Sequence, residues 1–295
     1  MNKKIVLLLL TTAALYSCRK PKPLTIDIPQ RKDEPVIAST MPDDRTLLVS
    51  AGYSLDAITN IDDSTSNSRI PKSMLIDSGM VSISEAGGTA RNLTKVSAGM
   101  YATTGLQLKE GSTYTLQVAD YRKGVTATAT TTYMPQPTRG QVVPTYMGDK
   151  SGDTLFKLNV TIPDAQKGAH YFMGYTTTRQ LRENVKLFTQ SPSQNTAAIA
   201  GFEPKQIEMI QSNVTGELTQ QYTLKLSPRD TLIVQVARID EGYFKYLQTY
   251  KRTGYLINQL TGEPINLPTN IQTGYGYFAI YKPHRYVFAL QKHLQ

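Results

Sequence analysis

Gly111-Ser112-Thr113-Tyr114-Thr115-Leu116-Gln117-Val118 is the stretch that decides the fold class. Tyr114, Leu116 and Val118 fall on one face of an extended chain and Thr113, Thr115 and Gln117 on the other, the two-residue period of a half-buried strand. Lys109-Glu110-Gly111 supplies a turn before it. Downstream, Val125 to Tyr133 alternates through Thr126, Thr128 and Thr130 and stops at Pro135 and Pro137. Upstream, Met80 to Ser84 alternates in the same way, Gly87-Gly88 marks a turn, Gly99-Met100-Tyr101 opens another strand, and Thr46 to Tyr53 reads as a first one. Asn60 to Ser68 is polar and without period, hence a loop. About six strands at roughly 8–12-residue spacing, with no helical pattern between them, predict an antiparallel β-sandwich over residues 36–137.

The step Gly-x-x-Tyr-x-Leu-x-Val resembles the strand found in immunoglobulin-like modules. Composition agrees with a mainly β chain. The aromatic residues are 18 Tyr, 7 Phe and no Trp, and Tyr with Thr favours a pleated surface. Pro135 to Pro144, with three prolines and Gly140, is read as the boundary to a second β-rich domain over 138–295. Within it Thr154 to Ile162, Ala169 to Thr176 and Lys205 to Gln211 are strands. Gln220 to Leu226 and Thr231 to Ile239 read as a hairpin around Ser227-Pro228-Arg229-Asp230. Tyr277 to Tyr281 and Arg285 to Leu290 are the last strands, and Thr178 to Ser193 is a loop or short helix. One helix is expected at 241–252: Asp240 can cap it, Gly254 can stop it, and Tyr243, Tyr246, Leu247 and Tyr250 recur at helical spacing. Such a stripe is ordinarily core; its functional reading is an aromatic platform for a ligand or partner.

The beginning of the chain gives an address. Lys3-Lys4 precedes an apolar run from Ile5 to Leu15 that is too short to span a bilayer. Leu15-Tyr16-Ser17-Cys18 has the form of a lipobox ending in the chain's single cysteine. A lone thiol in an exported protein has no internal disulfide partner, and acylation of Cys18 explains its position. Residues 1–17 are thus a lipoprotein signal peptide and 18–35 a tether, in which Pro21, Pro23, Pro29 and Pro35 favour extended chain. Removing the leader lowers the formal charge from +9 to +7. No Lys/Arg run marks a nucleic-acid surface, and no later stretch has the length and apolarity of a membrane helix. The membrane is therefore reached through lipid. Arg19 stands where Asp would signal inner-membrane retention, which points to the outer membrane. Basic Arg19, Lys20 and Lys22 leave its cell-surface and periplasmic faces both open.

Catalytic and metal patterns are sparse. His170, His284 and His293 are too scattered for a ligand set, and there is neither a Gly-x-Ser-x-Gly elbow nor a phosphate-cradling glycine loop. Asp149-Lys150-Ser151-Gly152-Asp153 starts like a calcium loop, but Thr154 and Val160 replace the required Gly and Glu, so it reads as a polar turn. No cofactor, metal or reaction is expected.

At the C-terminal block, Glu241-Gly242-Tyr243-Phe244-Lys245-Tyr246-Leu247, then Glu263-Pro264, then Asn270-Ile271-Gln272-Thr273-Gly274-Tyr275-Gly276-Tyr277-Phe278-Ala279, the chain resembles a Bacteroidota lipoprotein family catalogued as domain of unknown function 4249. Members typically carry a lipobox, a β-rich N-terminal region, a Tyr-containing helix and Asn-Ile-x-x-Gly-x-Gly-x-Phe near the end. Tyr275-Gly276-Tyr277 departs from the smaller aliphatic residues commoner there. The resemblance implies no reaction. It implies an accessory role beside TonB-dependent outer-membrane receptors, with a structural or adhesive surface lipoprotein as the alternative. Asn270, Gly274 and Gly276 are read as a corner that locks the last strands, or else as a contact loop. Tyr243, Tyr246, Tyr250, Asn270, Gly274 and Gly276 are then the candidate contact residues. Replacing Cys18 with Ala should move the protein from membranes to the soluble fraction with its body folded, as read by fractionation, fatty-acid labelling and circular dichroism.

Overall fold

Alternation sets the sheets of the computed structural model, which describes residues 34–54, 75–150, 153–180, 206–253 and 267–294. The leader, Cys18, nearly all of the tether, the 60–68 loop, most of 178–193, Ser151-Gly152 and the Gly254 stop lie outside the described residues. In chain order the first strands are β1 (Pro35–Thr40), β2 (Leu47–Tyr53), β3 (Gly79–Glu85), β4 (Arg91–Asn92), β5 (Thr94–Ser97), β6 (Met100–Thr103), β7 (Thr113–Asp120) and β8 (Val125–Thr132). Next come β9 (Gln141–Lys150), β10 (Asp153–Ala165), β11 (His170–Thr177), β12 (Ile207–Gln211), β13 (Gly216–Lys225) and β14 (Thr231–Ile239). Helix α1 (Glu241–Thr253) follows, then β15 (Ile271–Gln272), β16 (Tyr275–Tyr277), β17 (His284–Ala289) and a 3₁₀ turn at Leu290–His293. The mainly β expectation holds, and the helix lies where its tyrosine stripe put it.

The strands form four sheets. Two of them, in the orders β16-β1-β2-β6-β5 and β15-β8-β7-β3-β4, face each other across a core that includes Ile37, Leu47, Val49, Val81, Leu116, Val118 and Ala127. The other two, β13-β10-β9 and β12-β11-β14-β17, enclose Phe156, Leu158, Val160, Leu232, Val234 and Val236. Each pair is a β-sandwich, with the inner faces supplied by every second residue.

Four local expectations give way. The strands on either side of Ser227–Asp230 are not a hairpin: β13 pairs with β10, while β14 lies between β11 and β17 in the opposite sheet. The cause is in their patterns. β13 alternates and buries one face at an edge, whereas Thr-Leu-Ile-Val-Gln-Val-Ala-Arg-Ile of β14 is buried on nearly every residue and needs cover on both sides. One β14 face meets the second core, while Ala237 and Ile239 belong to the first. The prolines do not end regular structure at Pro144, because β9 is an edge strand, where a missing N–H can point away from the ladder. A strand, β1, precedes the expected first one. Finally, the 277–281 strand is replaced by β16 at 275–277.

The chain after 267 explains that last change. β15 pairs with β8, and β16 then runs parallel to β1, so a single turn adds one strand to each sheet of the first sandwich. Phe278 leaves the ladder because its N–H is taken by Asn270 Oδ1 at 2.9 Å, and Ala279 because its N–H is taken by Ser39 Oγ at 2.8 Å. Residues 271–281 thus complete the first sandwich from beyond the expected division at 137/138. The linker at that division is pinned as well: Gln136 exchanges hydrogen bonds with both the N–H and the C=O of Arg238.

One buried acid ties the first sandwich at its other end. Asp120 accepts from the Tyr53 hydroxyl at 2.7 Å and from the Arg122 amide at 2.8 Å. Burial pushes its carboxyl up, but the Tyr53 and Arg122 hydrogen bonds outweigh that and hold it below the ordinary value of 3.8. A depressed folded pKa contributes stability that is present above the unfolded value and lost as pH falls through the folded one. Asp120→Asn should therefore lower stability near neutral pH by about 1–3 kcal/mol. The gap to wild type should narrow below about pH 4, as read by denaturant melts across pH.

Candidate functional site

Asp240 positions the residues the sequence singled out. It stands at the end of β14 and caps α1: its Oδ1 accepts from the Tyr243 amide at 2.9 Å, and Phe244 N–H bonds its carbonyl at 3.0 Å. The same Oδ1 accepts from the Tyr277 hydroxyl at 3.1 Å, and Oδ2 from Thr131 Oγ1 at 3.4 Å. Gly242 makes room, since a Cβ there would lie 2.2 Å from the Tyr277 hydroxyl oxygen.

The helix stripe is turned inward by this arrangement. Tyr243, Tyr246 and Tyr250 are buried in the first core. Tyr243 stacks on Tyr246 at 6.0 Å between centroids and on Tyr281 at 5.9 Å, and Tyr277 lies against both Tyr243 and Tyr246. Burial raises the phenol pKa of Tyr243 and Tyr281, keeping both neutral. The ligand-platform reading of Tyr243, Tyr246 and Tyr250 is therefore corrected: their faces are consumed by packing against one another and the sandwich.

Asn270, Gly274 and Gly276 come together as a corner. Asn270 Nδ2 donates to Thr130 C=O at 2.9 Å and to Phe278 C=O at 2.7 Å, bridging β8 to the chain beyond β16. A Cβ at Gly274 would lie 2.4 Å from the Pro35 carbonyl oxygen, and one at Gly276 1.9 Å from that of Ile37. Gly276 also has φ +97°, a conformation L side chains rarely adopt. Thr273 holds φ 62°, the one positive value among described non-glycine residues, and its Oγ1 reaches Thr126 C=O at 3.4 Å. These residues let β16 approach β1, and the contact-loop reading of the three is not what their atoms are used for.

A different place offers open space. A cleft of about 370 Å³ is lined by Asp44, Arg45, Leu106, Leu108, Tyr133 and Lys282, with Gly105 and Gln107 on its wall. Its size falls at the lower end of ligand pockets, roughly 300–1,000 Å³. Asp43 Oδ1 builds one side by accepting from the Arg45 and Thr46 amides at 2.8 and 2.7 Å. Burial pushes the Asp43 carboxyl up, but these bonds and the Arg285 charge bring it below its ordinary value. The facing loop is fixed to that turn by Leu106 N–H to Arg45 C=O at 3.0 Å, and is braced by the Arg91 guanidinium on the carbonyls of Thr104 and Gly105. Lys282 and Asp44 approach to 4.0 Å across the mouth. Tyr133 forms the buried floor, its phenol pushed up to about 12 by burial and by the charge of Glu110.

Two cations, one carboxylate, a protonated phenol and two leucines suit recognition of an amphipathic, anion-bearing group. Among the described residues no cluster of His, Cys, Asp or Glu could hold a metal ion. Sequence reasoning did not find this cleft, since its residues lie up to 238 positions apart and share no motif.

A family model described as domain of unknown function (DUF4249) matches residues 22–286. No curated protein matches the chain. Among solved structures, a two-domain fibronectin type-III segment of chicken tenascin is similar at 13% identity, over 70% of this chain and 91% of that one, with a TM-score of 0.23. For the corner, Asn270→Ala should destabilise the body by about 1–3 kcal/mol, and Gly276→Ala by more, because the new Cβ meets backbone rather than a movable side chain. Urea melts of the two variants against wild type give the comparison.

Proposed function

We propose that this chain, which belongs to the DUF4249 family, is a non-catalytic lipoprotein of the outer membrane that binds a substrate or partner for a TonB-dependent uptake receptor. The observation that carries the reading is the leader: a basic start, a short apolar run and Leu15-Tyr16-Ser17-Cys18 with the chain's single cysteine. Its family resemblance to Bacteroidota lipoproteins supports the receptor partnership. The body adds a rigid framework and a cleft in which Arg45, Lys282 and the Tyr133 phenol can meet a carboxylate or phosphate while Leu106 and Leu108 take an apolar part. Phenols and guanidinium groups suit this task because each presents a large contact surface with few rotors to immobilise.

A structural or adhesive lipoprotein is the competing class, since tandem sandwiches on a tether serve as spacers equally well. Affinity purification of a tagged chain from solubilised membranes separates the two. The uptake reading expects a large outer-membrane β-barrel to co-purify, and it expects Arg45→Glu with Lys282→Glu to reduce that recovery while membrane attachment is unchanged. Recovery of the chain alone, or of filament subunits, makes adhesion the better reading. A double variant that recovers the barrel as well as wild type removes the cleft from the contact.

A further inference from the structure

The first sandwich has two unlike ends, and strand direction assigns every loop to one of them. The tether joins at Glu34, immediately before β1. Glu34 exchanges hydrogen bonds with Ser54 at the end of β2, where Pro35 pairs with Tyr53. Tyr53 in turn bonds Asp120, the last residue of β7, and carries the Lys123 ammonium 3.8 Å above its ring. The β7–β8 hairpin tip, Tyr121-Arg122-Lys123-Gly124, therefore sits beside the tether junction. The cleft is at the other end: Asp44 and Arg45 follow β1, Leu106 and Leu108 precede β7, and Tyr133 follows β8. The eight residues of β7 put about 25 Å between the two ends.

The tip is built to be held out rigidly. Tyr121 is 69% exposed, the highest value among the large apolar side chains described, yet its N–H is fixed to Ser78 C=O at 3.2 Å. Arg122 is anchored by its amide to Asp120 and by its guanidinium to Leu75 C=O at 3.3 Å. Of the acids at this end, Asp120 is buried beneath the tip and Asp77 is paired with Lys95, which leaves Glu34. An exposed tyrosine flanked by two fixed cations matches a bilayer interface, where the ring sits at headgroup depth and basic groups meet phosphate.

We propose that the Tyr121-Arg122-Lys123 tip docks on the phosphate-bearing headgroups of the membrane that holds the chain, with the Asp44–Lys282 cleft turned away from that membrane. The inference rests on the lipid-anchor reading of Cys18. The tether permits it: from Cys18 to Glu34 an extended chain reaches about 50 Å at most, so the body can lie on the surface or stand off it, and the tip selects the first. The cleft then opens toward whatever approaches from the aqueous side.

The test uses the acylated full-length chain reconstituted in vesicles of phosphatidylcholine with phosphatidylglycerol. With Cys18 acylated, an introduced cysteine is the single free thiol. An environment-sensitive dye is placed at Thr126→Cys, beside the tip, and in a second protein at Lys109→Cys, at the cleft end. A headgroup-attached quencher should remove most of the emission at 126 and leave that at 109. Tyr121→Ser and raised salt should each restore emission at 126. Equal quenching at the two positions, or quenching at 126 insensitive to Tyr121→Ser and to salt, overturns the docking proposal and leaves the anchor intact. A Cys18 peptide without acyl mass overturns the anchor reading, and the docking proposal with it.

Discussion

Asp240 is the constraint on which the rest of the body depends, because four elements end on one carboxylate. It closes β14, opens α1, and receives hydroxyls from Thr131 on β8 and Tyr277 on β16. A capping acid normally answers only the free amides of a first turn. Here the same oxygen fixes the C-terminal strand, so the direction of the helix and the seating of β16 are set together. Gly242 is the local concession. Glycine in a first helical turn is unfavourable by up to about 1 kcal/mol relative to alanine, but any side chain there would occupy the position of the Tyr277 hydroxyl. The need for a phenol rather than a phenyl ring at 277 has the same origin.

The inward tyrosine stripe follows from that seating. Once Asp240 holds the start of α1 against β8 and β16, the face carrying Tyr243, Tyr246 and Tyr250 can only meet the first core and the β11–β14 surface, where Phe172 and Tyr281 complete the packing. α1 therefore belongs to both sandwiches. So does β14, which explains why the residues that end the second region's central strand also start the element that buries the first region's open side.

How much of this was legible divides along a physical line. Strands with one face buried were readable, because the two-residue period is written locally: Thr113–Asp120, Val125–Thr132 and Gly79–Glu85 lie close to where their alternation put them. The helix was readable for the same reason at its own period, and Asp240 as its cap. Sheet membership was not, since Ser227-Pro228-Arg229-Asp230 is turn chemistry that serves a hairpin and a crossing between sheets equally. The unbroken apolar run of β14 did carry the missing signal, because burial on both faces excludes an edge partner such as β13. Short exposed β4 and β5 left no pattern at all. At the site, Asn270, Gly274 and Gly276 announced a special backbone, and the choice between corner and contact rested on which atoms surround them. The cleft is assembled by strand ends from distant parts of the chain, and no local window contains it.

The connectivity also dictates where the second sandwich must stand. β1 leads away from the tether junction, and β8, antiparallel to β7, leads away from the Tyr121 tip, so the chain leaves the first sandwich at Tyr133 on the far end. Pinning of Gln136 to Arg238, and of Gln235 Nε2 to Pro42 C=O at 3.0 Å, then seats the second sandwich on that end instead of letting it swing. Residues 270–281 make the return journey: they travel down beside β8, turn at Thr273-Gly274 next to the junction, and come back up beside β1. A chain that left the first sandwich and never came back would leave the Pro35 edge of β1 unpaired beside the tether. By adding β16 to that edge, the return covers the strand nearest the membrane attachment, the one where an exposed ladder would most readily recruit another chain.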